Sequence, residues 1–245
     1  PTVRTTYGFG NAAEQFVIRG FSLFGDDVGV NGLYGIAPRQ LVAPELFGQV
    51  QVLNGSSAFL NGAAPGGSGL GGSVNLVLKR AEQDRTRATA TFVGEGHIGG
   101  SLDVSRRFGD SRQFGVRVNG AYRDGEVAID REDRRTQVLG GAFDYDGGAF
   151  RAALDLAYQE VRVDSLRPTV GFTPAVVPDV PEADANYAQD YTYTELTDIF
   201  GTLSLEYDIA RDVLAYAKLG ARSGDEEGIY GGLTVEDAAT GAATS

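Results

Sequence analysis

The stretch FRAALDLAYQ, residues 150–159, alternates between apolar and polar or small residues with a period of two. Phe150, Leu154, Leu156 and Tyr158 fall on one face of an extended chain, and Asp155 falls on the other. The stretches 114–123 and 202–209 repeat this pattern. Runs of about ten residues with such alternation are typical of transmembrane β-barrel strands. We predict about seven of them: 85–93, 100–108, 114–124, 136–145, 150–163, 194–209 and 213–223.

The connections between these segments alternate in length. GDSRQ, DGGA and ARD are short turns, whereas GEVAIDREDRR and the Pro-rich span 164–193 are long. Short periplasmic turns and longer extracellular loops are the asymmetry of bacterial outer-membrane barrels. A soluble β-sandwich is the alternative, but it is less favoured because its strands usually have about five or six residues.

The composition excludes several classes of function. The chain has 33 acidic and 21 basic residues, so it carries no basic patch of the kind that binds nucleic acid. It has no Cys and a single His, His97, which we place at a loop tip. Disulfides, cysteine nucleophiles and two-His metal sites are therefore impossible. We expect no catalytic residue, no metal ligand and no enzyme, and we find no apolar run of the roughly 20 residues that a spanning helix needs.

Residues 1–82 differ from the rest of the chain because glycine is dense and the apolar runs are short. We predict a small mixed α/β domain here, followed at residues 85–245 by antiparallel barrel strands. The stretch NGAAPGGSGLGGSVNLVLKR, residues 61–80, contains a G-x-G-x-x-G match at Gly67, Gly69 and Gly72. In a dinucleotide-binding loop the glycines open a helix. Here the alternating SVNLVLK indicates a strand, so we interpret the glycines as turn residues.

Two other stretches carry candidate binding residues. Arg19 lies among apolar residues in FVIRGF, so a buried Arg19 needs either a carboxylate partner or an anionic ligand. Tyr34 and Arg39 lie near glycines in NGLYGIAPRQ, which is either a ligand-contacting loop or a structural hairpin. The charged run DREDRR, residues 130–135, is predicted to be a solvated loop whose charges neutralise one another.

The motifs FVIRGF, VNGLYGIAPRQ, ELFGQVQVLNGSSAFLNGAAPGGSGLGGSVNLVLKR and YRDGE resemble, in that order, the TonB-dependent siderophore receptors of Gram-negative outer membranes. In that family a plug fills a barrel of about 22 strands. The resemblance implies that residues 1–82 are most of a plug and that residues 85–245 are the first third of the barrel wall. The sequence would then be part of a longer protein, and the TonB box that couples the family to TonB is absent from it.

The resemblance also implies a function and a location. The protein would take up a ferric siderophore, and iron would arrive as a chelate rather than through a resident cofactor. Arg19, Tyr34, Gly35 and Arg39 would contact the siderophore, while Arg80 would join ion pairs between plug and barrel. The plug would face the periplasm, with the long loops outside and lipid around the wall. A receptor or pore for another cargo, such as cobalamin or a glycan, is the main alternative, and a soluble β-rich binding protein is a more distant one.

Overall fold

The computed structural model describes residues 3–5, 13, 15–55, 62–94, 96–172, 180, 182–237 and 240–244. The helical part of these residues consists of two 3-10 helices, Gly25–Asp27 and Pro44–Leu46, and none of it is long and apolar enough to cross a membrane. The strands are β1 (Val3–Thr5), β2 (Gln15–Ile18), β3 (Phe21–Phe24), β4 (Gly29–Val30), β5 (Phe47–Asn54), β6 (Gly72–Leu78), β7 (Arg85–Val93), β8 (His97–Phe108), β9 (Phe114–Asp124), β10 (Asp133–Asp146), β11 (Phe150–Asp164), β12 (Thr169–Phe172), β13 (Tyr193–Ala210), β14 (Val213–Ile229), β15 (Gly232–Asp237) and β16 (Ala242–Thr244). The predicted mainly β fold class is confirmed.

The part of the chain before β7, which we call the plug, forms two small sheets. The first has the order β1-β2-β3 and is antiparallel, with Val3 opposite Ile18 and Ile18 opposite Phe21. In the second, β6 lies between β4 and β5. The predicted alternation of β6 is confirmed, because Val74, Leu76 and Leu78 are buried. The glycine-rich stretch thus leads into a strand.

The seven long strands, which we call the wall, form one sheet in the order β14-β13-β11-β10-β9-β8-β7. Each of the seven predicted segments overlaps one of these strands, although β14 runs to Ile229, beyond the predicted end at residue 223. The alternation separates two faces: Leu154 and Leu156 are 42% and 56% exposed, whereas Asp155 between them is 1% exposed. The inner face packs against the plug, since Ala157 and Phe200 belong to the same buried cluster as the plug core. The domain boundary at residues 82–85 stays a prediction.

An aromatic row marks the outer face of the wall beside the short turns. The ring centroids of Phe108 and Phe114 are 5.5 Å apart, those of Phe114 and Tyr145 are 5.1 Å apart, and those of Tyr145 and Phe150 are 6.3 Å apart. Tyr207 continues the row opposite Phe150. Tyrosine and phenylalanine at this level are typical of the girdle at a membrane interface.

The two rims of the wall differ as predicted, with one exception. The connections at residues 109–113, 147–149 and 211–212 are short and lie on one rim. The connections at residues 125–132 and 165–192 lie on the other rim and are longer. That second rim, which we call the long-loop rim, also carries the three-residue connection 94–96 between β7 and β8.

The long connections are joined to one another. Arg131 donates to the carboxylate of Asp190 and to the carbonyl of Asn186, and the Asn186 amide donates to the carbonyl of Asp130. Glu132 is 5% exposed and accepts from Arg134 and from the backbone of Arg167. The prediction of a solvated, self-neutralising loop at residues 130–135 is confirmed in part, because Arg131 is exposed and Arg134 pairs with Glu132 within the run. It is wrong for Glu132, which is buried, and for Arg131, whose partners belong to the other long connection. In addition β12 pairs with β15, so the connection after β11 also meets the chain after β14.

Candidate functional site

One irregular plug segment, residues 36–46, crosses the inner face of the wall, and we call it the belt. Near its start, the side chain of Ile36 occupies the space left by Gly220, where a Cβ atom would lie 2.7 Å from it. In its middle, Gln159 of β11 donates to the carbonyl of Leu41 at 2.6 Å and accepts from the backbone of Ala43 at 2.9 Å. The belt is thus held by groups whose positions two wall strands fix.

The far end of the belt reaches β9 and β10. Glu45 pairs with Arg123 of β9 at 3.1 Å, and the carbonyl of Glu45 accepts from Asn119. Leu46 packs over Gly140 of β10, where a Cβ atom would lie 3.0 Å from its side chain. The belt therefore spans the wall from β14 to β9.

Three of the four predicted site residues lie at or just before the start of the belt. Tyr34 is half-buried and engaged with neighbouring groups, and Gly35 has a φ of +73° with open space where a Cβ would be. Arg39 pairs with Asp26 of the plug at 3.5 Å and with Glu226 of β14 at 3.6 Å. Exposed pairs at these distances are weak, so Arg39 can exchange partners at little cost.

Arg19, the fourth predicted residue, lies elsewhere, and it is not buried among its apolar neighbours. It is exposed in the turn between β2 and β3, with a φ of +54°. Its guanidinium lies over Gly55, 3.5 Å from the place where a Cβ would be. The turn carries the side chain out of the apolar alternation, so the need for a partner that burial would impose does not arise, and contact of Arg19 with a ligand stays a prediction.

A buried polar cluster fastens the plug to the middle of the wall. Arg80 binds Asp155 of β11 through two nitrogens, with Nη2 at 2.6 Å and Nε at 3.0 Å from its carboxylate oxygens. Arg80 also donates to Ser204 at 2.9 Å. Burial alone would lower the pKa of Arg80, but the hydrogen bonds and charge of Asp155 outweigh this effect and raise it. The predicted plug-to-wall ion pair of Arg80 is confirmed.

Asn31 completes this cluster from the other side. Its amide nitrogen donates to Asp155 at 3.0 Å and to Thr202 at 2.8 Å, while its side-chain oxygen accepts from the backbone of Leu78. The backbone carbonyl of Asn31 accepts a hydrogen bond from the side chain of Lys218 of β14. Sequence reasoning did not single out Asp155, Asn31 or Gln159. The sequence does contain a sign of each. Asp155 and Gln159 are polar residues at inward positions of a strand, and Asn31 begins an Asn-Gly turn, in which its φ is +51°.

A second cluster lies nearer the start of the wall. Arg117 of β9 donates two hydrogen bonds to the carboxylate of Asp103 of β8, at 2.8 and 2.6 Å. Lys79 of the plug forms an ion pair with the same carboxylate at 3.2 Å. Arg107 joins Asp144 to the carbonyl of Ala81. Wall residues therefore bind the connecting chain at Lys79 and at Ala81, before it enters β7.

The glycine-rich loop surrounds a carboxylate that belongs to the protein itself. Asp27 is fully buried and accepts from the backbone of Gly66 at 2.6 Å and of Ser68 at 2.8 Å, and from the Ser68 hydroxyl. A Cβ on Gly66 would lie 2.9 Å from that carboxylate. The loop is an anion cradle in geometry, but its occupant is the Asp27 side chain.

His97 is not at a loop tip as predicted. It is the first residue of β8 and is 7% exposed, because it points to the inner face of the wall. Its Nε2 atom has no hydrogen-bond partner among the described residues. His97 pairs with Val93 within the sheet, so its imidazole lies in the wall rather than in a loop.

Comparison with known proteins agrees with this architecture. Residues 1–68 match the family model of the TonB-dependent Receptor Plug Domain. The Ferrichrome receptor FcuA of Yersinia enterocolitica is 40% identical over 232 residues, which are 94% of this chain and 31% of that protein. The chain is therefore about a third as long as this relative.

Solved structures give the same result. The crystal structure of BauA, the ferric preacinetobactin receptor of Acinetobacter baumannii, matches with a TM-score of 0.91 and 36% identity over 96% of this chain and 35% of that one. Pseudomonas aeruginosa FpvA, solved with bound pyoverdine, shares the fold with a TM-score of 0.78 and 19% identity over 95% of this chain and 32% of that one.

The plug model matches the N-terminal 68 residues, and the identity to one receptor and the superposition on another extend over more than nine tenths of the chain. The chain belongs to the TonB-dependent receptor family.

Proposed function

We propose that the whole protein is an outer-membrane receptor and TonB-coupled active transporter of a ferric siderophore. The observation that carries this proposal is the belt: Ile36 and Arg39 contact β14 of the inner wall, directly after Tyr34 and Gly35, in a chain 40% identical to a ferrichrome receptor. The relatives named above are receptors for iron chelates, which supports the same cargo class here.

The geometry supports a direction of transport. The short turns would face the periplasm and the long-loop rim would face the outside. A chelate would enter from the long-loop rim and meet the start of the belt, where Arg39 has weak, exchangeable partners. TonB, acting through a TonB box, would then rearrange the plug, and lipid would cover the exposed outer face of the wall.

The proposed function needs neither catalysis nor a resident cofactor. Iron would remain bound to the siderophore throughout, and the protein would contribute hydrogen bonds and charges rather than metal ligands. If the cargo were cobalamin or a glycan, the receptor would not support growth of an iron-starved host on any ferric siderophore.

The test uses the full-length receptor in an iron-starved host that lacks other siderophore receptors. We expect growth on at least one member of a panel of ferric siderophores. Arg19→Ala and Arg39→Ala should each weaken binding about tenfold or more, because each removes a charged hydrogen-bond donor.

Arg112→Ala is the matched control, since Arg112 forms an exposed pair with Asp84 beside the short turns. It should leave affinity unchanged. Growth on none of the siderophores would reject the proposed cargo, and unchanged affinity of a single variant would remove that arginine from the site.

A further inference from the structure

The hairpin at residues 30–33 leads directly into the start of the belt, and its turn is tightly bonded. Val30 and Leu33 exchange two backbone hydrogen bonds, at 2.8 and 2.9 Å. Between them, Asn31 and Gly32 have φ values of +51° and +83°, as a two-residue type I′ turn requires. Asparagine and glycine are the residues that tolerate this conformation best. The hairpin is therefore expected to move as one unit.

The wall offers this hairpin a row of three neighbouring positions. Asp155, Thr202 and Gly220 lie side by side on β11, β13 and β14. Gly220 leaves a space that the side chains of Ile36 and Leu33 fill, since a Cβ at Gly220 would lie 2.7 and 3.1 Å from them. The end of the hairpin and the start of the belt thus share one contact with the wall.

Asn31 occupies the other two positions of this row. Its amide nitrogen donates to Asp155 and to Thr202, and the Thr202 hydroxyl also donates to Asp155 at 3.0 Å. On the plug side, the side-chain oxygen of Asn31 accepts from the backbone of Leu78 at 3.0 Å, two residues before Arg80. Asn31 therefore contacts both the carboxylate that Arg80 binds and the chain that carries Arg80.

The surroundings of Asn31 make these contacts sensitive to its position. Asn31 is 9% exposed and Asp155 is 1% exposed, so water does not readily replace a hydrogen bond that is lost between them. The backbone of Asn31 is bonded as well: its N–H donates to Leu76 at 2.9 Å and its carbonyl accepts from Lys218 at 3.0 Å. A displaced hairpin must either break several hydrogen bonds at once or move β6 with it.

The residues beside the hairpin are those to which the proposed function assigns cargo contact. Tyr34 and Gly35 follow the hairpin directly, and Arg39 lies three residues beyond Ile36. A chelate that contacts them would push on Ile36 and so on Leu33, which fills the same space at the wall. Cargo would thus act on the hairpin without touching Asn31.

We propose that Asn31 is a positioning residue that couples the start of the belt to the ion pair between Arg80 and Asp155. The coupling follows from the contacts of the described residues, and its use by an entering cargo rests on the proposed function. Such a linkage is reciprocal, so a change at either end alters the other.

Hydrogen exchange of the full-length receptor in detergent tests the coupling without any cargo. Gly220→Ala presses a Cβ against Ile36 and so displaces the start of the belt. In the wild-type background it should speed exchange of the amides at residues 79–82 about tenfold. In an Asn31→Gly background it should change this exchange less than about twofold. Glycine keeps the positive φ of the turn and removes only the side chain.

Asn75→Ala is the matched control background. Asn75 also holds the hairpin, since its side-chain oxygen accepts from the backbone of Gly32 at 2.8 Å, but its amide donates to Gln51 of the plug rather than to the wall. Gly220→Ala should keep its effect of about tenfold here, because the route through Asn31 is intact. A merely structural role of Asn31 would make the two backgrounds behave alike.

Ferrichrome is the probe for the second arm of the experiment. Its binding should change exchange at residues 79–82 about threefold or more in wild type and in Asn75→Ala, and less than about 1.5-fold in Asn31→Gly. All three receptors are compared at saturating ferrichrome, so that a difference in affinity does not enter the comparison.

The outcomes separate the coupling from the proposed function. The inference is overturned if Gly220→Ala has no effect at residues 79–82, or if its effect persists in Asn31→Gly, as it would if it travelled along the belt through the bond from Lys79 to Leu46. Bound ferrichrome that leaves this exchange unchanged in wild type removes the role of cargo. A receptor that binds no ferric siderophore rejects the proposed function, and the Gly220→Ala arm then decides the coupling by itself.

Discussion

Asp155 is a buried wall residue that binds two plug residues, Arg80 and Asn31, at once. It is 1% exposed, and its carboxylate receives donors from Arg80, Asn31 and Thr202. A buried carboxylate is stabilising only when its partners are complete, and removing it takes from Arg80 the charge that compensates its own and leaves only a hydroxyl acceptor to each of Arg80 and Asn31. This side chain is therefore one main point at which the plug is fastened to the wall, beside the belt and the Asp103 cluster.

Asp155→Ala in the full-length receptor should therefore lower the free energy of unfolding by about 2 to 4 kcal/mol. It should also speed hydrogen exchange of the amides near Asn31 and Arg80, because the donors that they present lose their acceptor. Denaturant unfolding in detergent, combined with exchange mass spectrometry, measures both effects.

Asp208→Ala provides the comparison at the residue scale. Asp208 also pairs with an arginine, Arg151, but the two side chains are 45% and 32% exposed. Exposed pairs contribute roughly 0 to 1 kcal/mol. Equal losses in the two variants would show that burial of the Asp155 cluster contributes nothing.

At the scale of elements, the glycine-rich stretch has a steric role that its motif conceals. A Cβ on Gly71 would lie 2.0 Å from the carbonyl oxygen of Ile18 and 3.0 Å from the Cβ of Phe21. The start of β6 can therefore approach the β2–β3 turn only with glycine at this position. Gly69, inside the formal G-x-G-x-x-G match, has only ordinary contacts at 3.5 and 3.6 Å.

We expect Gly71→Ala to destabilise the plug by about 1 to 3 kcal/mol, because the backbone of β2 must move. Gly69→Ala should be tolerated. Protease sensitivity of the stretch 62–71 in the full-length receptor distinguishes the two variants. If Gly69→Ala were the more harmful, the motif spacing rather than the steric contact would matter.

Elements differ in how far the sequence predicts them. The wall strands were predictable because a sheet with a lipid face and an inner face imposes a period of two on every strand. The ion pair of Arg80 with the wall was predicted from the family resemblance alone, and the sequence did not indicate which carboxylate it binds. The burial of His97, the exposure of Arg19 and the joined long connections depend on turn geometry and on partners distant in the chain, which periodicity does not encode.

For the whole molecule, the decisive feature is a wall that is apolar outside and unclosed among the described residues. β7 and β14 are the edges of the sheet, and outward side chains such as Leu139, Leu156 and Ile199 are more than half exposed. Unpaired edges and a large apolar face favour association.

The 245-residue chain, produced alone without detergent, should therefore associate rather than remain a monomer of 25.9 kDa. Size-exclusion chromatography with light scattering measures this directly. The full-length receptor in detergent is the control and should melt cooperatively. A sharp cooperative melt of a monomeric chain in water would contradict the assignment of the outer face to lipid.

The pairing of β1 with β2 determines how the plug responds to mechanical tension. Val3 begins β1 and lies opposite Ile18, which ends β2, so a pull from the N-terminal side acts on the same end of both strands. Hydrogen bonds of such an antiparallel pair run across the strands, and under this load they break one after another rather than together. At the other end of the plug, Arg80 and Asn31 share the load over several contacts to the wall. The plug would therefore yield to a small force by peeling from its first strand inward while it remains tethered to the wall.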